Sequence, residues 1–176
     1  MTKLFEKIIP VILNNEGGYQ KIASDPGNWV GGYKTGELVG TKYGIAGKIW
    51  GKQYDIPNLT LQQASDIYYR HYYRPMNLEG LKSDELVLQV FDMGINAGKR
   101  LAIRKLQQLI GAEVDGYCGS ETWTMANDYH INVGRDLVKD YKHARIVYYE
   151  YLADKYPERY GAWINGWKRR VAHTKL

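Results

Sequence analysis

Asn15-Glu16-Gly17-Gly18-Tyr19 is the stretch on which the reading of the chain turns. Leu4 to Leu13 leads into it with apolar residues at helical spacing (Leu4, Ile8, Ile9, Val11, Ile12), which predicts an amphipathic helix over residues 3–15. Pro10 removes a backbone donor within that helix, so a kink or a short first half is expected. The glycine pair then supplies the left-handed turn with which helices commonly end. Glu16 is therefore placed at the seam between a helix and a glycine-rich segment. A helix C-terminus disfavours an anion, and so does partial burial. A carboxyl at this seam suits the role of general acid. The plain alternative is an exposed glutamate before a glycine turn.

Working outward, eight residues separate Glu16 from Asp25 in Asp25-Pro26-Gly27-Asn28-Trp29. Gly31-Gly32-Tyr33-Lys34-Thr35-Gly36 comes next, and then Thr41-Lys42-Tyr43-Gly44-Ile45. Glycine content over residues 16–45 argues against a helix, while Trp29, Val30, Tyr33, Leu38, Val39 and Tyr43 favour strands. The prediction is a loop with a small irregular β-hairpin that carries Asp25 and Thr41 to face Glu16.

Taken together, Glu-Gly-Gly-Tyr, Asp-Pro-Gly, Gly-Gly and Thr-Lys-Tyr-Gly-Ile resemble glycoside hydrolase family 108, a family of bacterial and prophage N-acetylmuramidases sometimes labelled secretion activator proteins. The Glu–Asp spacing is also similar to that of phage-type lysozymes, whose cleft is lined by an acid Glu, an Asp and a Thr. The resemblance implies a mainly α, lysozyme-like fold: a helical body with a small irregular β-hairpin lobe, and a cleft between them. It implies Glu16, Asp25 and Thr41 as catalytic residues. In phage-type lysozymes the Thr follows the Asp more closely. Here the stretch Trp29–Gly40 intervenes, so Asp55 or Glu37 is an alternative second carboxylate. Tyr19 and Tyr43 from the same motifs, with Asp92 and Asn96, are the substrate-binding candidates. The implied reaction is cleavage of the β-1,4 bond between N-acetylmuramic acid and N-acetylglucosamine. A non-catalytic peptidoglycan-binding or secretion-regulating protein with the same fold is the other reading.

Further along, Thr60-Leu61-Gln62-Gln63 fits a capping box and opens a helix to about Tyr73, ended by Arg74-Pro75. Ser83 is the expected cap of a central helix with Leu86, Val87, Val90, Phe91 and Ile95 as its buried stripe. Asp92 and Asn96 share one face of it, either bonding backbone or lining the cleft. A helix over Lys99–Ile110 ends at Gly111. Gln107-Gln108-Leu109-Ile110-Gly111, Val114-Asp115-Gly116-Tyr117 and Gly119-Ser120-Glu121-Thr122-Trp123 are similar to small peptidoglycan-binding modules, although a packed helix–turn–helix explains them equally well. The expected division is thus a catalytic part over 1–98 and a helical C-terminal part over 99–176. Asn132 to Lys155 reads as one long helix with Val133, Leu137, Val138, Tyr141, Ala144, Tyr148 and Leu152 inward. In the last helix, Trp163 and Trp167 are expected to cover the core, and Lys168-Arg169-Arg170 forms a basic end.

Composition bounds the rest. With 176 residues the chain is long enough for one unit with a real core. Cys118 is the only cysteine, so no intrachain disulfide is possible. The net charge of +5 suits a polyanion. Sixteen Tyr and five Trp against two Phe suit sugar rings, which share the flat apolar face and polar edge of those side chains. No P-loop, dinucleotide fingerprint, zinc-protease or serine-hydrolase motif appears, so neither metal nor cofactor is expected. Nor is a nucleic-acid-binding motif present. The first helix is interrupted by Glu6, Lys7 and Pro10 and reads as no signal peptide, and no stretch suits stable membrane insertion. The expectation is a monomer made in the cytoplasm, delivered to the wall by a holin or an export system, with peptidoglycan strands as partner.

Overall fold

A computed structural model describes residues 1–176, and it is mainly α-helical. Contacts divide it into two compact units: Ile9–Tyr69, and Met1–Ile8 together with Arg70–Leu176. The division falls within the first helix and just after Tyr69, whereas the sequence suggested a single boundary near residue 98.

The Ile9–Tyr69 unit is short on regular structure. Helix α1 (Lys3–Glu16) runs through Pro10 and ends at Gly17, whose φ is 76°. Five two-residue strands come after it: β1 (Tyr19–Gln20), β2 (Trp29–Val30), β3 (Glu37–Leu38), β4 (Thr41–Lys42) and β5 (Ile45–Ala46). The expected single hairpin is in fact two antiparallel sheets, β1-β4-β5 and β2-β3. In the first, Gln20 pairs with Thr41 and Thr41 with Ala46; in the second, Trp29 pairs with Leu38. Helix α2 (Gly47–Trp50) and helix α3 (Leu61–Tyr68) complete the unit. Thr60 and Gln63 form the anticipated capping box. Ile12, Ile45, Ile56, Leu59, Ile67 and Tyr68 are its buried core.

Arg74-Pro75 does not end the next helix. A π-helical turn (Tyr69–Tyr73) leads into α4 (Arg74–Met76), which closes on Asn77 in the left-handed region at φ 53°. Pro75 cannot donate to the carbonyl four residues earlier, that of His71. Lys99 Nζ donates to that carbonyl instead, at 2.8 Å, so the missing partner is replaced by a cation.

Arg70–Leu176 is helical: α5 (Asp84–Ala97), α6 (Lys99–Ile110), α7 (Ser120–Asn127), α8 (Tyr129–Val133), α9 (Leu137–Lys155), α10 (Pro157–Tyr160) and α11 (Ile164–His173). Ser83 caps α5 through Leu86 N–H, and α5 is buried from Leu86 to Gly94. Phe5, Tyr73 and Phe91 form a ring cluster with centroids 5.0–6.0 Å apart. Gly119 holds the cap position of α7, and Ser120 is its first residue.

The predicted 132–155 helix is broken. Gly134, at φ 69°, ends α8, and Asp136 caps α9 by accepting from Val138 and Lys139 N–H. The buried stripe of α9 is Leu137, Tyr141, Arg145, Tyr149 and Ala153, displaced by one residue from the expected Ala144, Tyr148 and Leu152. Trp167 stacks on Tyr149 at 4.9 Å, but Trp163 is 62% exposed and covers no core.

Candidate functional site

The Ile9–Tyr69 unit holds Glu16, Asp25 and Thr41. Glu16 closes α1 and is half-buried. Beside it lies the turn between β4 and β5. Tyr43 and Gly44 make this a two-residue hairpin with positive φ at both positions, 51° and 74°, as type I′ geometry requires. Gly adopts that backbone freely, but Tyr is strained there. Tyr68, only 1% exposed, donates its hydroxyl to Tyr43 O at 2.9 Å and holds the turn. A methyl group on Gly44 would lie 2.6 Å from Glu16 Oε2 and 2.4 Å from the Tyr68 hydroxyl. The Glu16 carboxyl and the Tyr68 hydroxyl therefore both border the space over the bare Cα of Gly44, and no other residue leaves that room.

Thr41 is half-exposed in the middle strand of the same sheet, between Gln20 and Ala46. The sheet thus brings Glu16 and Thr41 into one local structure although 24 residues separate them in sequence. Asp25 enters differently. Its Oδ1 accepts from Gly27 N–H at 2.8 Å and caps a 3-10 turn, Pro26–Asn28. Its own N–H donates to Ile22 O at 3.1 Å. The backbone there is pinned rather than free. Asn28, fully buried, explains the pinning: its Nδ2 donates to Ile22 O, and its carbonyl accepts from Val39 and Gly40 N–H. One side chain and one carbonyl thereby tie the Asp25 turn to the entry of β4. Glu37 is exposed on β3 opposite Val30. Asp55 is exposed and accepts from Asn58 Nδ2 at 2.9 Å.

Tyr19 is 42% exposed and donates to Val39 O at 3.1 Å. Tyr43 is half-exposed, with Lys42 Nζ 5.4 Å from its ring centroid. Both keep a ring face near the sheet that carries Thr41. Asp92 departs from the expected substrate contact. It has no exposed surface. Arg145, also fully buried, pairs with it, and Arg170 clamps both its oxygens at 2.7–3.2 Å. Arg145 also donates to Gln89, whose amide donates to Thr174 O at 2.6 Å. Asp92 is thus a partner for two cations, and Arg170 is occupied there rather than offered to a polyanion. Asn96 is exposed, and its amide donates to Asp92 O four residues back.

In the other half of the motif set, buried Gln107 donates to Asp115 Oδ1 at 2.7 Å and accepts from Gly116 N–H at 2.8 Å. The Tyr117 N–H and then the Gln107 amide hold Asp115 below the usual carboxylate range. The Leu-Gln…Asp-Gly…Thr pattern is therefore one hydrogen-bonded corner between α6 and α7. Cys118 is buried there, and desolvation pushes its thiol up to about 12, so it is a packing residue.

The family model described as glycosyl hydrolase 108 matches residues 9–98. The chain belongs to glycosyl hydrolase family 108. A second model, described as a predicted peptidoglycan domain, matches residues 101–172. This family 108 chain is similar in fold to Brucella abortus SagA, with 21% identity and a TM-score of 0.65 over 97% of this chain and 94% of that one. No curated protein matches it significantly. The fold is mainly α and lysozyme-like. Family and domain together make the chain a peptidoglycan-related glycoside hydrolase. No helix is long and apolar enough to cross a membrane.

Tyr68, Gly44 and Asn28 were not among the residues singled out by sequence. Gly44 carried a signal, a Tyr-Gly pair between strand-forming residues, but one obscured by Tyr standing where Asn or Asp is usual. Tyr68 reads as an ordinary core aromatic of α3, and Asn28 as a loop residue.

Proposed function

We propose that the chain is an N-acetylmuramidase acting on the β-1,4 bond between N-acetylmuramic acid and N-acetylglucosamine, with Glu16 as general acid. The observation that carries this reading is the seat of Glu16: a half-buried carboxyl at a helix end, over the glycine of a tight turn and beside a buried hydroxyl. Glycoside cleavage needs a positioned proton donor at the leaving oxygen. It also needs a second group that directs water or supports an oxocarbenium-like centre. Asp25 takes that role, with Thr41 holding the water. Tyr19, Tyr43 and exposed Asn96 are the sugar contacts; Asp92, being buried, drops out of that set. The catalytic part spans 1–98 and the helical peptidoglycan-binding part 99–176.

By analogy with phage-type lysozymes the reaction inverts, and the two carboxyls stand ~6.5–9.5 Å apart, not the ~5–5.5 Å of retaining enzymes. The wall is the site of action, reached through a holin or an export system. Digesting purified peptidoglycan and reducing the new ends with borohydride tests the bond. Muramitol is the expected product; glucosaminitol alone would overturn the muramidase assignment. An α-anomer is expected in the first product formed. A β-anomer would rule out inversion, and would turn attention to Glu37, by comparing Asp25→Asn with Glu37→Gln.

A further inference from the structure

A concave site lies beside the β2–β3 sheet. It is a cavity of ≈ 310 Å³ lined by Pro26, Trp29, Tyr33, Lys48, Lys52 and the glycine pair 31–32. Its aromatic wall is fixed. Trp29 Nε1 donates to Ala23 O at 3.0 Å and Tyr33 donates to Ser24 O at 3.4 Å. Their rings meet edge to face at 6.1 Å. With their polar ends tied down, both rings offer apolar surface rather than hydrogen bonds. Gly31 and Gly32, at φ 82° and 146°, form a backbone here without side chains.

Lys48 and Lys52 are four apart along α2 and its following turn, so they share a face. Both line the cavity, both are exposed, and neither forms an ion pair. Some lysines elsewhere are neutralised by carboxylates, Lys7 by Asp84, Lys142 by Glu85 and Lys168 by Glu150; Lys48 and Lys52 are not. A third cation, Lys34, lies 5.1 Å from the Tyr33 ring centroid. Three carboxylates lie near along the chain and none pairs with either lysine: Asp25, whose Oδ1 is engaged by Gly27 N–H, Glu37 on β3, and Asp55, which accepts from Asn58 Nδ2.

We infer that this cavity is an anion-selective saccharide subsite, in which Trp29 and Tyr33 take a sugar face and Lys48 and Lys52 take a carboxylate attached to it. Aromatic faces suit sugar rings, and paired unneutralised lysines favour an anion. The inference rests on the peptidoglycan reading and sharpens it. Two carboxylates of the polymer have this chemistry: the lactyl group of N-acetylmuramic acid once its peptide is removed, and the acidic residues of the peptide itself.

Binding to the full chain, measured calorimetrically at low and high salt, tests this without any bond being cleaved. Three probes are used: N-acetylglucosaminyl-N-acetylmuramic acid, the same disaccharide bearing its peptide, and the neutral N,N′-diacetylchitobiose. At least one acidic probe should bind about tenfold tighter than chitobiose at low salt, and this advantage should shrink at high salt. Lys48→Ala/Lys52→Ala should erase most of it and leave chitobiose binding unchanged. Which acidic probe wins identifies the carboxylate. Equal binding of all three by the wild type, or an undiminished advantage in the double variant, overturns the subsite. Because binding is read here without cleavage, while hydrolysis is read as reducing ends released from peptidoglycan, a failure of the hydrolytic reading is seen separately from a failure here.

Discussion

The two compact units handle carboxylates in opposite ways. In the helical unit, Asp92 is wholly buried and fully used: Arg145 and Arg170 neutralise it, and Gln89 extends the network to the C-terminal Thr174. In the Ile9–Tyr69 unit, Glu16 and Asp25 are placed by turns and left half-exposed. The first arrangement organises packing, since a buried charge without its partners is costly. The second leaves a carboxyl positioned yet accessible, which proton transfer to a ligand requires. Burial thus separates the acid that holds the fold from the acids proposed for chemistry, although all three sit in motif-like surroundings.

The harshest way to break this contrast is Asp92→Ala. It strands buried Arg145, and a loss of ~3–5 kcal/mol of stability is expected by denaturant unfolding. Whatever fraction stays folded should keep its hydrolytic turnover. Loss of turnover with stability intact would place Asp92 among the chemical residues instead.

A smaller effect should separate Gly44 from Gly17. Both have φ near 75°, so alanine strains either backbone by ~1–2 kcal/mol. Only at Gly44 does the new methyl meet the Glu16 carboxyl and the Tyr68 hydroxyl; at Gly17 nothing lies within 4 Å. Gly44→Ala should therefore lose most hydrolysis, while Gly17→Ala keeps it. Equal activity in the two variants would detach the turn from the function of Glu16.

Tyr68→Phe removes the hydroxyl that holds Tyr43. About 1 kcal/mol of stability should go, and hydrolysis should fall beyond what that loss explains. A thermal melt beside a turnover assay checks both. Smallest is a pH effect in the helical unit. The Tyr117 N–H and Gln107 lower Asp115 from 3.8, so its ionised form is favoured by folding. Its contribution is present above that value and is lost as pH falls through the lower folded value. Asp115→Asn should thus be less stable than wild type near neutrality, with the gap closing in acid. A gap that widened in acid would contradict the sign.

Local chemistry explains why parts of this were readable in sequence. Ser83, the Thr60–Gln63 box and Gly111 mark helix ends by hydrogen bonds their own neighbours make, so those boundaries were visible. Glu16 was visible for a related reason, standing before two glycines. Arg145 was not: a charged residue reads as solvent-facing until its partners, 53 and 56 residues away in sequence, are known. From Arg145 onward the inward stripe of α9 is displaced by one residue, while Leu137 and Tyr141 face inward as expected. Pro75 misled likewise, because Lys99 supplies from a distance what the helix lacks. Asp92 and Asn96 shared a helix face as expected, yet only tertiary contacts separated the buried member from the exposed one.

Glu16→Gln is the most direct test. The amide keeps the shape of the side chain over Gly44 and removes the transferable proton. Wild type and variant are incubated with purified peptidoglycan, new reducing ends are counted, and wall binding is measured by co-sedimentation. Turnover should fall by ~10²–10⁴-fold, with wall binding and melting temperature unchanged. Near-native release of reducing ends by Glu16→Gln would show that the acid lies elsewhere.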